Sequence, residues 1–248
     1  MWALDERRFR TTLLVAIITL SWFALWAWGR TPTGQHFHHA AMGAAIFKQG
    51  ISSVLFFASG WTLMTIAMML PTSFPLLGRF YVLISDKEKR SFLFGLCIAG
   101  YLLVWAVFGL LAHYGVSQLY PLVAGLNFQS GLLIGAGIYQ FTPLKHYCLQ
   151  KCRSPLSFII QHWHGRNEAG ESFWLGAHHG LFCIGCCWSL MLLMFLTVSV
   201  HLLWMLALGT VMAVEKNMPW GNRLSTPLGL VLVIAGFVFR FAPATFGF

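Results

Sequence analysis

Apolar stretches of about 20 residues recur from one end of this chain to the other, and they limit the folds open to it. Charged residues make up only 9% of the 248 residues, whereas a soluble domain carries roughly 25%. Helices satisfy their own backbone hydrogen bonds in lipid, and the stretches lack the alternation of transmembrane β-strands. The sequence therefore predicts an all-α, polytopic transmembrane helix bundle.

The bundle is predicted to be a single transmembrane domain, residues 1–248, with about seven spans. The fifth and sixth spans form a tight hairpin that turns near Val198–His201. Because the sixth span is short, six spans with a re-entrant hairpin are the alternative. The first span is long and has no small-residue cleavage site after it, so we expect it to be retained. The predicted spans are approximately 11–29, 52–77, 92–113, 119–141, 176–197, 201–215 and 225–244.

The basic residues predict the orientation of the chain. With the N-terminus inside, 13 of the 16 lysines and arginines lie on the inner side, as the positive-inside rule requires. This predicts a multi-pass protein of the inner (cytoplasmic) membrane of a bacterium. The formal charge of +9 then reflects topology and contact with anionic lipid, and no nucleic acid partner is expected. The inner basic residues are Arg7, Arg8, Arg10, Arg79, Lys87, Lys89, Arg90, Lys145, Lys151, Arg153, Arg166, Lys216 and Arg223.

The longest segment between spans is the basic inner loop 142–171, and a loop of this length is usually functional. Pro143 can begin a helix in the loop, and Pro155 would end it. Cys148 and Cys152 would then lie one turn apart on the same face. The alternative role for this pair is packing as small buried residues.

The fifth predicted span carries a stripe of nitrogen and sulfur side chains that point the same way at the helical period. Soft thiolate and thioether ligands select Cu(I), with Zn(II) as the alternative. Ionisable groups inside a span are costly and usually functional. The alternative is that these residues simply pack a helix interface. The stripe comprises His179, Cys183, Cys186, Met194, Thr197 and His201, flanked by Cys187 and Met191.

The two clusters lie at the same inner face because the inner loop joins them, so we predict one shared metal site. Glu215, about level with Gly185, is either a ligand, a partner that orients His179, or a helix end that reaches the surface. His146 is a second residue expected to support the ligands. The predicted metal ligands are Cys148, Cys152, His179, Cys183, Cys186 and Cys187.

Weak thioether sites between stronger terminal sites suit the passage of an ion. A pathway for copper from the inner thiols to the outer face is therefore a further hypothesis, with membrane packing as its alternative. The outer His36–His39 segment could collect metal, although loop histidines are more often only solvated. Pro71 is expected to kink the second span. The pathway candidates are Met191, Met194, His201, Met64 and Met68.

Common catalytic signatures are missing from the sequence. It contains no Walker loop and no dinucleotide fingerprint, so we expect no ATP-driven transport by this chain and no enzyme activity. Cys183 and Cys186 do match a C-x-x-C redox pattern. However, thiols at the inner face would meet a reducing compartment, which disfavours a disulfide-forming enzyme.

At these clusters the chain resembles a bacterial family of predicted metal-binding integral membrane proteins, which includes a membrane helper that supplies copper to a tyrosinase-type oxidase. The resemblance runs through most of the chain from the second span onward, and it implies copper delivery. The first span and the His36–His39 segment lie outside the pattern. The matching residues are Ala67–Pro71, Gln140–Lys145, Cys148–Pro155, His179–Trp188, Met191 and Glu215–Lys216.

The leading hypothesis is a membrane copper-binding protein that delivers or transports Cu(I) to a cuproenzyme, its expected protein partner. The first alternative is an accessory or structural subunit of a larger membrane complex, such as a copper oxidase or monooxygenase. The second alternative is a membrane thiol–disulfide oxidoreductase, which would need a cysteine pair that cycles between thiol and disulfide.

The orientation can be tested with thiol reagents that do not cross membranes. Applied to intact cells, they should label none of the six cysteines, because the clusters are predicted near the inner face and Cys97 inside a span. Labelling after the cells are opened is the positive control. Labelling of Cys148 or Cys152 from outside would invert the orientation and favour the oxidoreductase alternative.

Overall fold

The computed structural model describes residues 2–30, 50–123, 128–196 and 202–241, and all regular structure within these ranges is helical. Three 3₁₀ turns, Pro71–Ser73, Leu193–Leu196 and Gly221–Arg223, join or extend the α-helices. The predicted all-α class is confirmed. The α-helices are α1 (Trp2–Gly29), α2 (Ile51–Met68), α3 (Phe74–Leu83), α4 (Arg90–Val123), α5 (Phe128–Tyr139), α6 (Pro143–Arg153), α7 (Pro155–His162), α8 (Glu168–Leu192), α9 (Leu202–Asn217) and α10 (Ser225–Phe241).

Four segments of the described chain are long and apolar enough to cross a membrane. Shorter apolar helices occur at Leu14–Gly29 and Phe128–Tyr139. Length and composition therefore support four spans, and the predicted count of seven is not confirmed. The four segments are Ile51–Met68, Arg90–Leu119, Glu168–Leu192 and Gly221–Phe241.

Several boundaries differ from the prediction, and prolines explain two of them. The predicted span 52–77 is broken, because Pro71 cannot donate a backbone hydrogen bond and instead begins a 3₁₀ turn. In the inner loop, Pro143 begins α6 as expected, with the Thr142 side chain as its N-cap. Pro155 follows the end of α6 and also begins a further helix, α7. Most of the loop is therefore helical.

The third predicted span was expected to end at residue 113, yet α4 continues to Val123. The residues between the third and fourth predicted spans are accommodated in this helix. Ser117, for example, donates to the carbonyl of Tyr114 at 2.8 Å. A hydroxyl that bonds to the preceding turn of its own helix does not need to end that helix.

Helix α8 is the centre of the bundle. In its most apolar 18-residue stretch 61% of the residues are buried, whereas the corresponding share in α2 is 22%. It packs along α4 and also contacts α5, α6 and α7. The helix ends at Leu192, so the predicted stripe leaves the α-helix before Met194. The predicted hairpin turn at residues 198–201 lies outside the described residues.

The contact between α4 and α8 depends on glycine. A Cβ atom at Gly176 of α8 would lie 1.8 Å from the carbonyl oxygen of Cys97, and one at Gly100 of α4 would lie 2.2 Å from that of Phe173. Neither distance is tolerable, and both obstacles are backbone atoms. The two helices can therefore approach this closely only with hydrogen in place of a side chain.

Replacing Gly100 with alanine should destabilise the protein by about 1–3 kcal/mol, because the α4–α8 backbones must separate. Gly95 lies on the same helix in open space, with no heavy atom within 4 Å of a Cβ. Gly95→Ala should therefore be neutral or stabilising, since alanine favours the helix by about 1 kcal/mol. Thermal unfolding in detergent checks the pair, and equal effects of the two variants would contradict the proposed close approach.

Candidate metal centre

The break after α2 places a short polar turn in the centre of the bundle. Because Pro71 interrupts the helix, the carbonyl of Met69 accepts a hydrogen bond from the Thr72 hydroxyl at 2.7 Å. The Tyr101 hydroxyl of α4 donates to the same carbonyl at 3.4 Å. The Met69 side chain is fully buried, and the turn packs against α9. The thioether of Met69 and the hydroxyls of Thr72 and Tyr101 therefore face α8 and α9.

Helix α8 contributes three buried thiols, those of Cys183, Cys186 and Cys187, each at most 1% exposed. The thiols of Cys186 and Cys187 both donate to the carbonyl oxygen of Cys183, at 3.1 and 2.9 Å. These two sulfurs consequently lie no more than 6.0 Å apart, the sum of those distances. Cys187, which was predicted to flank the stripe, is held beside Cys186 by this shared acceptor.

Helix α6 brings a fourth thiol to the cluster and a fifth beside it. Cys152 is hydrogen-bonded to Cys186, and this bond raises the pKa of the Cys152 thiol. Cys148 packs against Gly185, where an added Cβ would lie 2.5 Å from its sulfur. Burial raises the pKa of the Cys148 thiol. Cys152 is the cysteine with a partly exposed side chain, whereas the other five are buried.

Three further groups touch the α8 thiols. The Lys216 ammonium of α9 donates to the Cys183 sulfur at 3.0 Å and lies 3.9 Å from the Cys187 sulfur. The Tyr101 hydroxyl is 3.1 Å from the Cys183 sulfur, and the Met69 sulfur is 3.7 Å from that of Cys187. We call Met69, Cys152, Cys183, Cys186 and Cys187 the sulfur cluster.

His179 lies one helical turn before Cys183 and is buried, but its hydrogen bond goes elsewhere. Its Nε2 is 3.2 Å from the Ser73 hydroxyl. Its ring stacks on Tyr101 and meets Phe158 edge-on. Its Nδ1 is buried without a hydrogen-bond partner in the described part of the chain. The proposed ligand role of His179 stays a prediction that no contact with the thiols supports.

Glu215 is buried and does not reach the surface. Its carboxylate forms a 2.8 Å ion pair with Lys145 of α6, and it accepts a hydrogen bond from Ser225 at 2.8 Å. Gln140 also accepts a hydrogen bond from the Lys145 ammonium. Of the three alternatives for Glu215, the helix end that reaches the surface is therefore wrong, because Lys145 supplies a buried counter-charge. The ligand role and the role as a partner of His179 stay predictions.

The other supporting and pathway residues are dispersed. His146 is partly buried on α6, and no hydrogen bond in the described ranges joins its ring to the thiols. Met68 packs near Gly209 of α9, and Met64 is partly buried. Met191 is buried in the core near the end of α8. The remaining pathway residues are Met194, partly buried on the turn after α8, and His201, which lies outside the described residues, as does the His36–His39 segment.

In the described residues, no three His, Cys, Asp or Glu side chains are already arranged to hold a metal ion. The contacts explain this. Two of the thiols point at a backbone carbonyl, and the third lies against an ammonium and a hydroxyl. The donor set is nevertheless the soft one that suits Cu(I).

Sequence reasoning missed the partners of the cluster. Lys216 was considered only as an inner basic residue and as part of the Glu215–Lys216 resemblance, and Tyr101 was not considered. Met69 was noticed only within the Ala67–Pro71 resemblance, although its place just before a helix-breaking proline was a usable signal. Gln140 and Lys145 also belong to the resemblance, but the contact of Lys145 with Glu215 was not predicted. None of these partnerships is readable from spacing, since each joins different helices.

Comparison with known proteins gives one family. A family model described as PpoB2, copper chaperone, matches residues 58–239. The match includes every residue of the sulfur cluster and begins within α2, so α1 lies outside it. No curated protein and no solved structure matches the chain.

The ion pair between Lys145 and Glu215 generates a stability prediction. Glu215→Gln should lower the free energy of unfolding by about 3–5 kcal/mol, because it leaves a buried ammonium without its counter-charge. The double variant Lys145→Met with Glu215→Leu should recover much of that loss, since no charge then stays buried.

The matched control is Glu168→Gln, which breaks the exposed Lys87–Glu168 pair, 2.6 Å long. Water already screens that pair, so the control should lose much less stability. Unfolding in a mixed detergent titration measures all three variants. Similar losses for Glu215→Gln and Glu168→Gln would mean that the buried pair is not a special determinant of the fold.

Proposed function

Because the chain belongs to the PpoB2 copper chaperone family, we propose that it is a membrane protein that binds Cu(I) and passes it to a copper enzyme. Copper is the cargo of this protein, not a resident cofactor. The four apolar helices of membrane length support a position in the lipid bilayer. The strong inward bias of basic residues supports an inner-membrane location with the N-terminus inside.

One observation carries the proposal: four thiols and a thioether meet in the apolar centre of the bundle. They come from α8, from α6 and from the turn after α2, so the fold has to assemble them. Burying several thiols beside one another has no packing advantage over alanine or valine, whereas a soft monovalent ion requires such donors. The soft donor set also favours Cu(I) over Zn(II).

We propose that Cys183, Cys187 and Met69 hold the copper ion. The sulfurs of Cys183 and Cys187 both lie near one ammonium and are at most 6.9 Å apart, the sum of 3.0 and 3.9 Å. Metal–thiolate bonds are about 2.3 Å long, so side-chain rotation alone could bring both sulfurs to one ion. The thioether of Met69 is already next to the Cys187 sulfur.

Transfer would then proceed by exchange of thiol ligands. Cys186 is adjacent to the holding thiols through the shared Cys183 carbonyl, and it is hydrogen-bonded to Cys152. Cys152 is partly exposed, so we propose it as the residue at which copper enters or leaves. The ion would pass from one thiolate to the next without ever being released as a free ion.

The predicted outward pathway is not needed for this mechanism. Met191 is buried and Met194 follows the end of α8, but their intended continuation to Thr197 and His201 lies outside the described residues. The pathway stays a prediction. The accessory-subunit alternative keeps the same sulfur cluster in a structural role, and it requires that copper does not bind.

Copper loading of the purified, reduced protein tests the proposal. Under anaerobic conditions the wild type should retain about one Cu(I) per chain in detergent after desalting, because the buried donors exclude competing water. Met69→Leu removes the thioether at similar volume and should lower the Cu(I) affinity at least about tenfold. Competition with a chromophoric Cu(I) chelator measures the affinity.

Two control variants come from the same chain. Met205→Leu changes a buried methionine about 16 Å from Lys216 along α9, and Cys97→Ala removes a buried thiol at the α4–α8 contact. Both should bind copper like the wild type. A wild type that retains neither copper nor zinc would reject copper handling, and unchanged affinity of Met69→Leu would assign Met69 to packing.

A further inference from the structure

We propose that Lys216 is the fixed positive charge that balances Cu(I) held by two thiolates, and that this residue makes the site prefer Cu(I) over Zn(II). The inference rests on the proposed function, because it assumes that the sulfur cluster binds copper. It assigns Lys216 as a positioning and selectivity residue rather than a ligand, since an ammonium has no free electron pair to offer.

Lys216 is only 7% exposed, and its position in the fold is unusual for a lysine. Its Nζ contacts the sulfurs of Cys183 and Cys187 and donates to the Thr72 hydroxyl at 3.2 Å. In the ranges that the structure describes, no carboxylate pairs with it. The neighbouring Glu215 is committed to Lys145. A buried ammonium is costly unless it is paired with an opposite charge.

Among the described residues, the hydrogen-bond partners of Lys216 that can become anionic are the two cysteines, as thiolates. Two buried thiolates carry a charge of −2, and a Cu(I) ion between them leaves −1. The ammonium of Lys216 brings the assembly to zero. The neutral thioether of Met69 can join without changing that balance. The bound state is thus the one in which Lys216 has its counter-charge.

The same donors give a different result with Zn(II). Two thiolates and a divalent ion are already neutral, so Lys216 would leave a net charge of +1 in an apolar interior, which is unfavourable. Zinc would reach neutrality only by recruiting a third thiolate. Cys186 is a candidate, since its thiol donates to the same Cys183 carbonyl as the thiol of Cys187. The fixed ammonium therefore penalises zinc more than copper.

The experiment compares Lys216→Met, which removes the charge at similar length, with Lys216→Arg, which keeps it. Cu(I) affinity is measured anaerobically by competition with a chromophoric Cu(I) chelator, and Zn(II) affinity with a chromophoric zinc chelator. Lys216→Met should bind Cu(I) about ten- to hundredfold more weakly, while its Zn(II) affinity stays equal or rises. Lys216→Arg should retain the preference of the wild type.

The control is Lys151→Met on α6. It removes the same charge, but Lys151 lies over the Tyr147 ring. It should change neither affinity, which separates a local charge effect from the general loss of positive charge.

The outcomes separate this inference from the proposed function. A wild type that binds no Cu(I) rejects the proposed function and this inference with it. A wild type that binds Cu(I), together with a Lys216→Met variant of unchanged copper-to-zinc preference, rejects only the role of Lys216. An equal fall in the Cu(I) and Zn(II) affinities of Lys216→Met would also reject this role. A residue that only stabilises the fold would lower the affinity for both ions by the same factor.

Discussion

The structure depends on the burial of two opposite charges side by side on α9. Glu215 and Lys216 are both almost inaccessible to solvent, and in an apolar bundle each needs a partner that compensates for its lost hydration. Neighbouring residues on a helix point about 100° apart, so the two side chains face different elements. Glu215 meets Lys145 of α6, and Lys216 meets the thiols of α8. This pair of contacts positions α6 and α8 relative to α9.

Arg153 reinforces the same junction from the end of α6. Its guanidinium donates to the backbone carbonyls of Glu215 and Pro219, which lie at the end of α9 and in the turn after it. Carbonyls at a helix end lack partners within the helix and must find them elsewhere. Helix α6 is thereby held against the helix that carries the buried charges, with Cys152 immediately before Arg153.

The sulfur cluster forms where three local irregularities meet. Pro71 ends α2, glycines let α4 lie directly on α8, and Gly185 leaves space for Cys148. Each irregularity removes a side chain or a backbone donor that a regular helix would have placed there. Their combined result is a buried region in which polar and sulfur groups contact one another. Polar groups inside the spans of a membrane protein are usually functional.

The sequence alone determined the helical class of the protein and placed most cysteines of the sulfur cluster on two helices. Long apolar stretches leave few alternatives to helices in lipid, because unpaired backbone groups are too costly there. Helical spacing correctly placed Cys183 and Cys186 on one helix, and Pro143 predicted the helix that carries Cys148 and Cys152. Those features are local, so periodicity and proline chemistry reveal them. The apolar stretches predicted about seven spans, whereas four helices of the described chain are long and apolar enough to cross a membrane.

Only the tertiary structure decided which groups surround the sulfurs. Spacing could not show that Lys216, Tyr101 and Met69 reach the thiols, or that Glu215 is paired with Lys145, because each contact joins separate helices. It also could not show that His179 bonds to Ser73 across the helix break. The physical reason is that a buried charge or thiol takes whichever partner the packing brings near, and packing is a property of the whole bundle. The contact of Lys216 with thiols instead of a carboxylate could therefore be found only from the folded structure.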